Sequence, residues 1–184
     1  MKQYGFHFDA TRCTGCKTCV VACCDKNGLE DGRQFRHVLA YENGGWRQDR
    51  MTGAWHQDVT HGYVSVSCNH CDDPACVKVC PTGATYQTED GQVLVNKEKC
   101  IGCKMCANAC PYDVPVFNTE GRTSYFGDKQ PLVVRPAKPH TERTPGKAEH
   151  CTLCTHRLAE GRLPACVENC STKALTLVDY DSKD

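Results

Sequence analysis

The sequence has no excess of either charge: 22 Lys+Arg face 22 Asp+Glu across 184 residues. A nucleic-acid binder normally carries a basic surplus, so that class is excluded. There is no long apolar run either. The longest, Cys19 to Cys24, falls far short of the roughly 18–20 residues a membrane span requires. The opening, Met-Lys-Gln-Tyr-Gly-Phe-His-Phe-Asp, holds neither an apolar stretch of the signal-peptide kind nor a twin arginine, so the chain is expected to carry no export signal of its own. Aromatic residues are only 8% of the total, which predicts a modest apolar core and a fold that depends on something besides burial.

Cysteine is abundant, with 17 in the chain. In a short secreted chain this density would read as a disulfide scaffold. The count is odd, however, and the spacings repeat as C-x-x-C, which in a reducing compartment points to metal. Four groups of four stand out. Cys13, Cys16, Cys19 and Cys23 are spaced C-x2-C-x2-C-x3-C, and Cys100, Cys103, Cys106 and Cys110 repeat that spacing ahead of Pro111. Cys68, Cys71, Cys76 and Cys80, ahead of Pro81, have four residues in the middle gap, and Cys151, Cys154, Cys166 and Cys170 have eleven. Cys24 is left over and reads as a spectator thiol beside the first group, with a stand-in ligand as the alternative.

The first and third groups match the bacterial [4Fe–4S] run, in which the fourth cysteine serves the neighbouring cluster. The final three-residue gap is about one helical turn, so that thiol lies about 6 Å further along the same helix face. Structural zinc is the plainer alternative, and paired C-x2-C units in the second and fourth groups would allow it. The first and third groups each place three cysteines within seven residues, which zinc does not require.

Spacer lengths indicate which groups belong together. Nineteen residues separate the second and third groups, against 44 between the first two and 40 between the last two. The short spacer carries Pro-Thr-Gly-Ala-Thr-Tyr-Gln, an Asp90-Gly91 turn and Gln-Val-Leu-Val, which predicts a hairpin. The segment after Cys170, Ser-Thr-Lys-Ala-Leu-Thr-Leu-Val, parallels the one after Cys80. Tyr4-Gly-Phe-His-Phe-Asp before the first group parallels the strand before Cys100. The two ends of the chain are therefore expected to be neighbouring strands. The fold class expected is α+β: two bacterial-type 2[4Fe–4S] ferredoxin-like modules, one inserted into the other, with long irregular loops. Residues 68–111 form one module, and residues 1–67 with 112–184 form the other.

The N-terminal Tyr-Gly-Phe-His-Phe-Asp, the Trp55-His-Gln-Asp stretch and Ser67-Cys-Asn-His-Cys-Asp-Asp-Pro-Ala-Cys resemble the iron–sulfur electron-transfer subunit of the dimethyl sulfoxide reductase family. The resemblance covers residues 4–111 and resumes at Cys151. It implies four [4Fe–4S] clusters: one on Cys13, Cys16, Cys19 and Cys170; one on Cys151, Cys154, Cys166 and Cys23; one on Cys68, Cys71, Cys76 and Cys110; and one on Cys100, Cys103, Cys106 and Cys80. In the family this is also the order outward from the catalytic subunit. Cys103 is present where some relatives replace a cysteine and hold three irons. The implied partner is a molybdenum- or tungsten-bis(molybdopterin guanine dinucleotide) catalytic subunit, with a quinol-oxidising membrane anchor in members that carry a longer tail; here 14 residues follow Cys170.

The chain itself is expected to be a non-catalytic wire, without nucleic acid, and exported folded with a twin-arginine catalytic partner. A cytoplasmic complex is the alternative location, and the equivalent subunit of a formate dehydrogenase or hydrogenase complex is the alternative identity. Among other residues, His70 reads as an ordinary polar loop residue, with tuning of a cluster potential as the sharper reading. Trp46 and Trp55 read as packing or subunit-contact residues. Residues 120–149 read as a weakly basic, Pro-rich loop (Pro131, Pro136, Pro139, Pro145), either solvated or docking the catalytic subunit.

Overall fold

The computed structural model describes residues 3–29, 32–119 and 144–180. Most of the Pro-rich spacer, residues 120–143, lies outside them. Among the described residues, five short helices and eight strands follow in order: β1 (Tyr4–Phe8), α1 (Thr18–Asn27), β2 (Arg36–Gln48), β3 (Trp55–Ser67), α2 (Ala75–Lys78), β4 (Thr85–Gln87), β5 (Val93–Val95), α3 (Met105–Ala109), β6 (Val116–Phe117), β7 (Ala148–Glu149), α4 (Thr155–Ala159), α5 (Ala165–Glu168) and β8 (Leu175–Asp179). All the described strands pair antiparallel, two by two: β1 with β8, β2 with β3, β4 with β5, and β6 with β7.

The hairpin expected at Asp90-Gly91 is present as β4 and β5, with Thr85 opposite Val95 and Gln87 opposite Val93. Thr88 closes its turn, accepting from the Gln92 N–H at 3.0 Å and donating to Asp90 at 2.6 Å. The expected pairing of the chain ends is also present, running from Tyr4 opposite Asp179 to Phe8 opposite Leu175. Around each pair two helices meet: α2 lies against α3 beside β4, and α1 lies against α5 beside β8.

The apolar core is small and divided, as the aromatic content implies. Leu29 and Phe35 pack with Cys23 and Cys151; Ala84 and Ala148 pack with Cys100 and Cys106; Val167 and Leu175 pack with Cys166. Cysteine side chains stand in the centre of each cluster. Burial by itself therefore holds little of this fold together.

The first spacer corrects the expectation of irregular loops. It contains β2 and β3, a regular hairpin of 13 paired residues per strand. Its inner end is packed, with Arg36 and Ser67 buried, while nearly all of β2 beyond Leu39 and most of the facing half of β3 are exposed. The β-branched and aromatic residues of β3 (Val59, Thr60, Tyr63, Val64, Val66) favour a strand, but their many polar neighbours hide the alternation of a half-buried one.

Candidate metal centres

Each cysteine loop is shaped by a residue in the left-handed region. Gly15 (φ +68°) and Lys17 (φ +57°) bend the first, and Gly102 (φ +73°) and Lys104 (φ +63°) bend the third in the same way. His70 does so in the second, and Leu153 and Cys154 in the fourth. Such residues turn successive backbone N–H groups to one side of a loop, the form taken by anion-binding concavities at iron–sulfur sites. Two glycines are required for space as well as conformation. A Cβ on Gly15 would stand 2.4 Å from the Tyr63 ring, and one on Gly102 would stand 2.3 Å from the Gly146 carbonyl oxygen.

The loops bring thiols together from distant parts of the chain. Cys13, Cys16, Cys19 and Cys170 line one small cavity of about 20 Å³. Cys23, one helical turn beyond Cys19 on α1, lies among Cys151, Cys154 and Cys166. Burial pushes its thiol well above the usual range, and those three charges push the same way. Burial likewise raises Cys68 to about 12; a hydrogen bond from the His70 N–H opposes this, and Cys76, Cys71 and Cys110 add to it. Cys106 is pushed up to about 11 by burial, with Cys100 and Cys76 nearby. Cys80 packs with Cys100 and Cys106, while Cys103 is exposed in the loop between them. Cys24 packs on the apolar group of Leu29 and Phe35.

Thiols of different gatherings also neighbour one another. Cys19 neighbours Cys166, Cys68 neighbours Cys151, and Cys76 neighbours Cys106.

Among the described residues, no three His, Cys, Asp or Glu side chains are grouped so as to hold one ion. Four sulfurs at about 2.3 Å from a single zinc would have to crowd together. Donors already surround the thiols: Asn27 Nδ2 donates to Cys23 Sγ at 3.5 Å, Thr18 Oγ1 to Cys16 at 3.4 Å, the Thr85 N–H to Cys80 at 3.4 Å and the Ala148 N–H to Cys100 at 3.5 Å. The bond from Thr18 leads in lowering Cys16 to about 7. These are the contacts that stabilise thiolate ligands.

Known proteins bear on this geometry directly. A family model described as a 4Fe-4S dicluster domain matches residues 59–125 and 135–180, more than half the sequence, and one described as a 4Fe-4S binding domain matches residues 10–28. This protein belongs to the 4Fe-4S dicluster family. Within this family it is similar to a chain of the anaerobic dimethyl sulfoxide reductase of Escherichia coli K12, at 44% identity over 97% of this sequence and 75% of that one. It is also similar to the putative dimethyl sulfoxide reductase iron-sulfur subunit of Halobacterium salinarum, at 36% over 100% and 69%. The arsenate respiratory reductase iron-sulfur subunit of a Shewanella species matches at 35% over 97% and 82%. The latter two are named as iron–sulfur subunits of reductases, and this dicluster protein is an electron-transfer subunit of the same kind, not a catalytic one.

Two residues at the dicluster sites differ from expectation. His70 is no ordinary loop residue. It is 1% exposed, and the Val93 N–H donates to its Nδ1 at 2.9 Å, joining the second cysteine loop to β5. Its ring meets that of His150 edge-on, 6.3 Å between centroids. His150, immediately before Cys151, is buried with Nδ1 2.8 Å from the Cys151 carbonyl oxygen. The Nε2 atoms of both rings are buried with no hydrogen-bond partner among the described residues. Arg36, which the cysteine pattern gave no reason to single out, is buried at the head of β2 beside thiols of the first and fourth groups.

Burial, aided by His150, lowers the pKa of His70 from its ordinary 6.5 to about 3. Between those values the unfolded chain takes up a proton at this ring and the folded chain does not, so stability falls as pH falls through that window. In His70→Asn, which keeps an acceptor for the Val93 N–H, unfolding midpoints measured from pH 7 to pH 4 should decline less steeply than in the parent. Parallel profiles would contradict this.

Proposed function

We propose that this chain carries single electrons along four [4Fe–4S] clusters to or from a molybdopterin-containing catalytic subunit. The observation that supports the reading is the succession of neighbouring thiols, Cys19 with Cys166, Cys151 with Cys68 and Cys76 with Cys106, which links each proposed set to the next. The ligand sets proposed are Cys13, Cys16, Cys19 and Cys170; then Cys151, Cys154, Cys166 and Cys23; then Cys68, Cys71, Cys76 and Cys110; and last Cys100, Cys103, Cys106 and Cys80. The shared cavity supports the first set. The mutual charges around Cys23 and around Cys68 support the second and third. Packing of Cys80 on Cys100 and Cys106 supports the fourth.

Two ferredoxin-like modules follow from these sets, residues 68–111 set into residues 1–67 and 112–184. The repeated arrangement of a strand pair with two helices supports that division. Bound in these loops, each cluster supplies one-electron redox chemistry. The residues hold it by thiolate, cover it with backbone and hydroxyl donors, and leave no cysteine of a set free for substrate. Substrate chemistry then belongs to the partner.

The β2–β3 hairpin is the surface proposed for that partner. Paired strands without a third strand or a covering layer are marginal in water, yet the outer hairpin is bare on both faces. Leu39 and Tyr41 are exposed on one, and Trp46 (64%) and Trp55 (62%) on the other. At its inner end, Val38 and Ser65 line the cavity of Cys13, Cys16, Cys19 and Cys170, where Cys16 is exposed. A catalytic subunit gripping the arm is thereby brought against the first cluster of the row. Among the described residues no helix is long and apolar enough to cross a membrane. We place the complex on the outer face, the folded chain carried there by a twin-arginine catalytic partner.

Anaerobic preparations should contain about sixteen iron and sixteen acid-labile sulfide per chain, with absorbance near roughly 400 nm that dithionite bleaches. Near-stoichiometric zinc with little sulfide would sink the reading. Replacing residues 41–62 by an Asn-Gly turn should leave that iron content unchanged and abolish co-purification with the catalytic subunit. Undiminished co-purification would remove the hairpin from the interface.

A further inference from the structure

Arg36 is 2% exposed. A buried guanidinium destabilises a fold unless opposite charge offsets it, and among the described residues Arg36 has no carboxylate partner. What holds it is neutral. Its Nη1 donates to Ser65 Oγ at 2.9 Å and its Nη2 to Ser67 Oγ at 2.8 Å. The guanidinium carbon sits 4.4 Å from the centroid of the Phe6 ring. These contacts fix the group in place and leave its charge unbalanced.

The balance of charge comes from sulfur. Arg36 lies close enough to Cys19, Cys23, Cys151 and Cys166 to favour the thiolate form of each. Ser65, one of its anchors, is itself 3.9 Å from Cys19 Sγ. Cys19 belongs to the first ligand set, and Cys23, Cys151 and Cys166 belong to the second. Cys19 and Cys166 also neighbour one another between these sets. The guanidinium thus stands at the junction of two sites, each of which would carry roughly −2 when an oxidised cubane is bound by four thiolates.

We propose that Arg36 is the shared counter-charge of the first two clusters in the row and raises the reduction potential of both. The proposal rests on the ligand sets given above. Reduction adds one negative charge to a site, and a fixed positive charge in a dry interior favours the form with more negative charge. Ser65, Ser67 and Phe6 act as positioning residues, because a guanidinium free to turn towards water would be screened. Arg36 stands against thiols of the first and fourth groups, so the effect falls chiefly on one end of the row.

The test is a redox titration of the holoprotein followed by electron paramagnetic resonance, on the parent, Arg36→Gln and Arg36→Lys. In Arg36→Gln, two of the four potentials should fall by about 59 mV, a tenfold loss of the reduced form at a fixed ambient potential. Arg36→Lys, which keeps the charge, should recover most of the shift. Four intact signals at parental potentials would overturn the proposal, and so would an equal shift of all four. Should Arg36→Gln fail to retain its clusters, the parent labelled with guanidino-15N arginine decides. An arginine nitrogen coupled to a reduced cluster supports the proposal, and its absence refutes it. A parent lacking cluster signals altogether would instead bring down the ligand sets, and this proposal with them.

Discussion

Thiols packed into a dry interior can ionise together only when metal takes up their charge. Cys23, Cys68, Cys106 and Cys151 are all held above the ordinary thiol range by burial, with neighbouring sulfurs adding to it. Iron must therefore displace protons to bind, and the energy of binding becomes energy of folding. The divided apolar core makes this dependence stronger. Each of its clusters includes cysteine side chains, so the groups proposed to hold iron are also groups that pack.

That constraint accounts for how the chain is threaded. Cys23 and Cys151 are far apart in sequence, as are Cys19 and Cys170, and only tertiary structure brings them together. The β1–β8 pairing joins the chain ends and sets α1 against α5, which places Cys19 and Cys23 beside Cys166 and Cys170. The β4–β5 hairpin does the same for α2 and α3 over a much shorter stretch. Sulfurs of different gatherings also neighbour one another, an arrangement suited to passing one electron at a time and not to binding substrate.

Features that depend on local spacing were legible in the amino-acid sequence. The four cysteine groups, the Asp90-Gly91 hairpin and the pairing of the chain ends all follow from repeats or turn chemistry within a few residues. Features decided by distant contacts were not. β2 and β3 alternate too weakly to be read as strands, since nearly all of their outer surface meets solvent. His70 sits among Asn69, Asp72 and Asp73, a polar stretch, and is buried only because Val93 from another element reaches its ring. Arg36 has no local signature at all. Its burial is determined by Ser65, Ser67 and Phe6, none of them its neighbour in sequence.

The exchange of ligands between groups is the claim on which the rest depends, and Cys170→Ser tests it most directly. Electron paramagnetic resonance of the reduced holoprotein should show one altered or three-iron signal, from the site of Cys13, Cys16 and Cys19, with the other three retained. Loss of the cluster held by Cys151, Cys154 and Cys166 instead would mean that each group serves only itself, and the threading described here would be wrong.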